Sequence, residues 1–167
     1  PVELAGTWNV RFLQGGPELP TEFQTPKLAS WTDREDAASQ RFAGTALYTL
    51  VFDAPAAGER SILDLGKVCQ SARVRVNGRD YGSLVAPPFR VLVDGLRPQG
   101  NVLEVEVTNV SANRIRDLDR RKVPWRIFHD INFVNIDYRP FDAADWPLYD
   151  SGLLGPVTLT KAEALTP

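Results

Sequence analysis

The 167-residue sequence contains no methionine, one cysteine and one histidine, and these scarcities restrict its chemistry. Because methionine is missing even at position 1, we expect the chain to be a processed or excised piece of a larger protein. The single cysteine, Cys69, allows no internal disulfide and no cysteine-based zinc cluster. With His129 as the only histidine, a transition-metal site would have too few ligands.

The sequence also lacks a long apolar run and a strong net charge. No segment approaches the roughly 18 apolar residues of a membrane-spanning helix, and residues 1–8 do not have the charged and apolar regions of a signal peptide. A formal net charge of -2 provides no broad attraction for nucleic acid or an anionic membrane. We therefore predict neither nucleic acid nor membrane as a partner.

Apolar residues make up 43% of the chain and charged residues 24%, which is the balance of a globular protein. The length fits one domain with a substantial hydrophobic core. We therefore expect residues 1–167 to form a single domain.

Period-2 alternation of apolar and polar residues predicts about eight short strands. The clearest is Asn101 to Asn109, in which Leu103, Val105 and Val107 alternate with polar residues. Asn77-Gly78 predicts a hairpin turn, since both residues tolerate positive φ. A short helix is expected within 32–38, with Thr32 as its N-cap. The other predicted strands are 8–12, 45–52, 61–65, 72–76, 81–85, 89–93 and 157–160.

Many short strands without a long amphipathic helix indicate an all-β fold, an antiparallel β-sandwich. The exception is the segment 110–150, which has no clear periodicity and which we term the excursion. Within it, a short helix is plausible at 111–122 and an added strand at 131–138. A long irregular segment on a rigid scaffold is a common place for a binding site.

The excursion holds seven of the sixteen aromatic residues of the chain. Aromatic faces stack on the C–H surfaces of sugars, and nearby polar groups bind the hydroxyls, so this composition suits a carbohydrate site. The candidate contacts are Trp125, His129, Tyr138 and Trp146. The alternative is that the aromatics are buried as a second small core at the edge of the sandwich.

Other chemistries have less support in the sequence. A Ser-His-Asp triad would need His129, but there is no Gly-x-Ser-x-Gly motif. The many carboxylates could include a glycosidase pair, yet their abundance does not place two of them together. Calcium is left as the one cofactor to consider, with Asp117, Asp119 and Asp130 as ligands, although no EF-hand spacing is present.

Six motifs, in order, resemble a sugar-binding-like β-sandwich of glycoside hydrolases. The similarity is nearest to family 106 α-L-rhamnosidases and more distant to the N-terminal jelly roll of family 2 enzymes. It covers about residues 42 to 160. Apart from the strand at 101–109, the motifs are Phe42 to Tyr48, Leu63 to Gly78, Ala86 to Val91, Asn113-Arg114 and Ser151 to Val157.

The resemblance implies a galactose-binding-domain-like jelly roll that accompanies a separate catalytic barrel. The catalytic carboxylates would then lie on that barrel, outside this chain. In family 2 enzymes, sandwich loops that follow the strand matching 101–109 can reach the active site. The resemblance therefore implies Asn113, Arg114 and Asp117 as candidates for contact with substrate or with the catalytic domain.

The sequence thus predicts a non-catalytic carbohydrate-binding or accessory module from a glycoside hydrolase. Its expected partners are a carbohydrate, with plant cell-wall polysaccharide as one candidate, and the catalytic domain of the parent chain. The parent is expected to be extracellular or periplasmic. Two alternatives remain: a purely structural domain that packs on a catalytic barrel, and a small stand-alone carbohydrate esterase or lyase.

Overall fold

A computed structural model describes residues 1–54, 60–127, 134 and 136–162 of the chain. Twelve strands are found in this part of the molecule. They are β1 (Val2–Glu3), β2 (Trp8–Gly16), β3 (Phe23–Thr25), β4 (Ala43–Phe52), β5 (Ser61–Asp64), β6 (Lys67–Cys69), β7 (Ser71–Val76), β8 (Arg79–Leu84), β9 (Arg90–Val93), β10 (Asn101–Thr108), β11 (Gly152–Gly155) and β12 (Thr158–Lys161).

Helices are few and short. A 3-10 helix covers Trp31–Asp33, α1 covers Ala37–Arg41, and α2 covers Ala112–Arg120. No helix in the described ranges is long and apolar enough to cross a bilayer.

The strands form antiparallel sheets, which confirms the predicted β-sandwich. The larger sheet has six strands in the order β3-β2-β4-β10-β7-β8, and the smaller has four in the order β1-β12-β5-β9. A separate pair joins β11 to β6. Side chains from both main sheets meet in one hydrophobic core, in which Tyr48, Val105 and Leu63 are all at most 2% exposed.

Strand β10 is central in the larger sheet. It pairs with β4 along its whole length and with β7 on its other side. Leu103, Val105 and Val107 are fully buried, as their alternation predicts, because the period of a strand places all three on the core face. The hairpin at Asn77-Gly78 is also confirmed, and both residues have positive φ.

The predicted helix at 32–38 is wrong in its boundaries. Thr32 lies inside the 3-10 helix, which is capped by Ser30. Helix α1 begins later because the Asp36 carboxylate accepts hydrogen bonds from the Ala38 and Ser39 amides. An aspartate N-cap in β-region backbone therefore sets the start of α1, four residues beyond the predicted Thr32 cap.

The excursion is less irregular than its sequence suggests. The helix predicted at 111–122 is present as α2, and the chain returns to the sandwich as β11. Half of the strand predicted at 131–138 lies outside the described residues. The described residues at its end, Ile136 and Asp137, form a turn.

Candidate functional site

Two hydrogen-bonded side chains join the ends of the excursion. Asn109 follows β10, and Ser151 precedes β11, 42 residues later. The Asn109 amide donates to the Ser151 hydroxyl at 3.0 Å and to the Phe42 carbonyl at 2.9 Å, and its oxygen accepts from the Gly44 amide at 2.9 Å. The Ser151 amide in turn donates to the Ser30 hydroxyl at 2.9 Å. Because Asn109 and Ser151 are buried, this network fixes both ends of the excursion to the sandwich.

Asn113 extends this network from helix α2. Its side-chain nitrogen donates to the Tyr149 carbonyl at 2.8 Å, and its oxygen accepts from the Tyr149 amide at 2.9 Å. The same nitrogen lies 3.3 Å from the Ser151 hydroxyl. Asn113 is only 2% exposed, and both polar atoms of its side chain are hydrogen-bonded within the chain. The geometry therefore gives it a positioning role for α2. Its predicted contact with carbohydrate stays a prediction.

Arg114 and Asp117 contact each other on α2. The Asp117 carboxylate accepts from Arg114 at 3.3 Å and from Arg121 at 2.8 Å. These i,i+3 and i,i+4 pairs neutralise the carboxylate on the helix surface. Of the residues that the family resemblance singled out, Arg114 and Asp117 therefore bind each other, while Asn113 binds Tyr149 and Ser151.

Asp119 organises the middle of the excursion. Its carboxylate accepts a hydrogen bond from the Trp125 indole at 2.7 Å and from the Ala143 amide at 2.8 Å. Arg126 lies 3.5 Å from the same carboxylate, whose side chain is only 8% exposed. One acid thus connects the end of α2 to two later segments of the excursion.

Four aromatic rings follow one another edge to face across the excursion. Trp125 and Phe141 have centroids 6.2 Å apart, Phe141 and Trp146 are 5.5 Å apart, and Trp146 and Tyr149 are 6.4 Å apart. The guanidinium of Arg126 lies 5.5 Å from the Trp125 ring and 5.4 Å from the Phe141 ring. Such T-shaped pairs add about 0.5–1.5 kcal/mol each beyond area burial. Trp125, Phe141 and Trp146 are half-buried and Tyr149 is 45% exposed, so the rings form a partly buried cluster, which we term the satellite core.

A cleft of about 530 Å³ lies between α2 and this satellite core, and we term it the Trp146 cleft. Trp146 is half-buried on its wall. Within the described ranges, the Trp146 indole N–H has no hydrogen-bond acceptor, so it is available to a ligand. The charged residues that line the cleft are Arg116, Asp119, Arg120, Lys122, Asp142 and Asp145.

Arg116 supports the cleft from α2. Its Nε donates to the Trp146 carbonyl, which holds the 146 segment against the helix. Sequence reasoning missed Arg116 and Arg120, although their i,i+4 spacing on a predicted helix was a usable signal. It also missed the structural role of Ser151, because the residues next to a serine in the sequence do not show that it forms hydrogen bonds with residues about 40 positions away.

The other predicted contacts lie apart from this cleft or outside the described residues. Trp125 is packed in the satellite core, through Asp119 and Phe141. Tyr138 is 86% exposed and does not line the cleft. His129 lies outside the described residues, as does Asp130. Of the predicted aromatic contacts in the described ranges, the cleft contains Trp146.

The calcium hypothesis also stays a prediction. In the described part of the chain, no group of three or more His, Cys, Asp or Glu residues is placed to hold a metal ion. The oxygens of Asp117 face arginines, and those of Asp119 face an indole and a backbone amide. A cation would have to displace these donors.

Asp119→Ala is expected to loosen the excursion without unfolding the sandwich. Removal of the carboxylate takes one acceptor from the Trp125 indole and one from the buried Ala143 amide, and the loss at Ala143 costs about 1–3 kcal/mol. Hydrogen exchange of the Ala143 amide should accelerate about tenfold or more, while the Val105 amide in β10 stays protected. Asp145→Ala, an exposed acid on the same cleft, is the matched control. Equal exchange in the two variants would contradict the role of Asp119.

No protein-family model matches the chain. Among solved structures, a rhamnosidase from Novosphingobium sp. PP1Y superposes with a TM-score of 0.74 and 30% sequence identity. That match covers 95% of this chain and 15% of the rhamnosidase. The resemblance to a glycoside-hydrolase sandwich is confirmed.

Two further relatives agree with this glycoside-hydrolase sandwich. A Formosa agariphila protein named "Putative beta-glucuronidase" is 32% identical over 95% of this chain and 15% of its own length. A GH2 β-galacturonidase from Eisenbergiella tayi, solved with galacturonate, matches 65% of this chain and 19% of its own, with 28% identity and a TM-score of 0.51. The chain therefore spans about 15% of the curated relative and less than a fifth of either the rhamnosidase or the galacturonidase.

These matches extend into the excursion. A match over 95% of 167 residues has to include most of the segment 110–150. The similarity to the rhamnosidase therefore extends along the chain beyond the residues before 110.

Proposed function

We propose that this chain is a non-catalytic accessory β-sandwich of a larger glycoside hydrolase, and that its Trp146 cleft contacts carbohydrate. Support comes from the similarity to a rhamnosidase and to other glycoside hydrolases of which the chain spans only a small part. In this proposal, the residues that hydrolyse the glycosidic bond lie elsewhere in the parent enzyme. The names of the relatives refer to rhamnose and to uronic acids, and we propose a glycan with such sugars as the substrate of the parent. Plant cell-wall polysaccharide remains the candidate source.

The observation that carries the carbohydrate contact is the composition of the Trp146 cleft. It combines one half-buried aromatic with charged groups of both signs in about 530 Å³, which is room for one or two sugar units. The indole ring can stack on sugar C–H groups, while the indole N–H and the carboxylates bind hydroxyls. An apolar wall with a few convergent polar groups is the general form of a small-ligand site.

Trp146→Ala is expected to remove carbohydrate binding. Titration calorimetry of the purified chain with neutral and acidic oligosaccharides should detect millimolar or tighter binding, and the variant should lose at least about tenfold in affinity, as a stacked aromatic contributes about 1–3 kcal/mol in ligand sites. Tyr138→Ala is the matched control, since this exposed aromatic lies on the excursion but outside the cleft. Absence of binding to every oligosaccharide at millimolar concentration would refute the proposal.

A second candidate function is docking to the catalytic domain of the parent. The excursion exposes Ile127, Ile136 and Tyr138, at 86%, 93% and 86% respectively. Large apolar side chains exposed this fully on one segment favour contact with another protein surface. This candidate predicts that the isolated chain binds no sugar and that neither the Trp146 nor the Tyr138 variant changes that result.

A further inference from the structure

A second, smaller cleft adjoins the Trp146 cleft along helix α2. It has a volume of about 200 Å³ and lies between α1 and α2. Arg116 and Arg120 line both clefts, so the two cavities meet at these side chains. We term the smaller cavity the arginine cleft because its charged lining residues are Arg41, Arg116, Arg120, Arg121 and Asp117.

The arginine cleft has more positive than negative charge. Its single carboxylate, Asp117, already accepts hydrogen bonds from Arg121 and Arg114. Arg41 is paired with Glu18, which lies outside the lining. The guanidinium of Arg120 has neither an ion-pair nor a hydrogen-bond partner in the described ranges. Neither Arg116 nor Arg120 forms an ion pair in the described ranges, although Asp119, Asp142 and Asp145 line the Trp146 cleft with them.

This arrangement favours the binding of an anion. Arg116 and Arg120 are four residues apart, so their like charges face each other on α2 and destabilise the helix by a few tenths of a kcal/mol. Burial, together with the charge of Arg120, lowers the pKa of Arg116. Guanidinium groups bind carboxylates through paired, charge-assisted hydrogen bonds, and such bonds are the strong ones at a partly desolvated site.

We propose that Arg116 and Arg120 bind the carboxylate of an acidic sugar whose ring lies against Trp146. The inference rests on the proposed function, because it requires the Trp146 cleft to hold carbohydrate, and it specifies a uronic acid as the ligand class. The sugar ring occupies the larger cleft, and its carboxylate projects across α2 towards the arginine cleft. No proton transfer or covalent step is involved.

Trigalacturonic acid and its methyl ester test the inference, since they differ in charge but not in sugar stereochemistry. The full 167-residue chain should bind the acid at least about tenfold more tightly than the ester, and added salt should reduce the difference. Arg120→Gln should weaken binding of the acid about tenfold and leave binding of the ester unchanged, since hydrogen bonds to charged groups are the stronger class. Arg11→Gln is the matched control because Arg11 is exposed and lines neither cleft.

The outcomes separate this inference from the proposed function. If acid and ester bind equally, or if Arg120→Gln weakens both to the same extent, the carboxylate site is wrong while the carbohydrate site stands. If neither compound binds, the uronic acid inference fails, and the proposed function is then decided by the titrations with the other oligosaccharides. A 6-O-sulfated galactose oligomer that binds more tightly than trigalacturonic acid would show that the anionic group is a sulfate and would overturn the uronic acid assignment.

Discussion

Replacement of Asn109 by alanine is expected to lower the free energy of unfolding by about 3 kcal/mol, since it removes buried hydrogen bonds worth about 1–3 kcal/mol each when one partner is left unsatisfied. The Asn109 side chain forms hydrogen bonds with the Phe42 carbonyl, the Gly44 amide and the Ser151 hydroxyl. Water cannot easily replace it there, because Asn109 is only 9% exposed and Ser151 only 2%. Urea denaturation followed by tryptophan fluorescence measures the change.

The control for Asn109→Ala is Asn9→Ala, which removes an exposed asparagine from β2 and should change stability by less than about 0.5 kcal/mol. Asn109→Asp provides a finer comparison, since the acid keeps the acceptor for Gly44 but loses both donated bonds. An alanine variant as stable as the Asn9 control would show that the network contributes nothing to folding.

The second large effect is expected for Gly44→Ala. This substitution should lower the free energy of unfolding by about 3 kcal/mol or more and leave little folded protein. A Cβ at this position would lie 2.1 Å from the Gln14 carbonyl oxygen and 2.7 Å from the Gly15 Cα. Both contacts are with backbone, so no side-chain rotation relieves them. Strands β2 and β4 approach closely here and need a residue without a side chain.

Gly16→Ala, one residue along from the same contact, is the control for Gly44→Ala. A Cβ on Gly16 meets nothing within 4 Å, so the variant should fold normally. Circular dichroism and thermal unfolding of the two purified variants distinguish them. A Gly44→Ala protein that melts within a few degrees of the unmodified chain would mean that β2 and β4 can separate without loss of the fold. Because Gly44 also pairs with Asn109, the two large effects should not be additive.

Most of the sandwich could be predicted from the sequence because its strands have a local signature. In β10, buried apolar side chains alternate with outward polar ones, and in β4 the buried residues Ala46, Tyr48, Leu50 and Phe52 recur with the same period, which appears in the sequence without reference to any partner strand. The short strands β1, β3, β6 and β11 were not predicted. They have only two to four residues each, too few to display a period.

The candidate site could be predicted only in composition. The sequence shows that the excursion is rich in aromatics and acids, and the structure arranges them by contacts between distant positions. Asp119 meets Ala143 across 24 residues, and Asn113 meets Tyr149 across 36. Contacts between such distant positions produce no periodic pattern in the sequence. From the sequence alone, Trp125 and Trp146 are therefore equally good candidates for contact with a ligand. The structure separates them by packing Trp125 against Asp119 and placing Trp146 on the cleft.

The hydrogen bond between Asn109 and Ser151 has a consequence for how this kind of sandwich could diversify. Because the two ends of a 41-residue insertion meet at one point of the scaffold, its length and content can change at a small cost in chain entropy, about 0.6 kcal/mol for each doubling. If a shorter or unrelated loop replaces the segment between these two residues, the Asn109–Ser151 hydrogen bond should still form and hold the two ends of the loop on the sandwich. Evolution could therefore change the length and sequence of this segment while the strands of the sandwich stay the same.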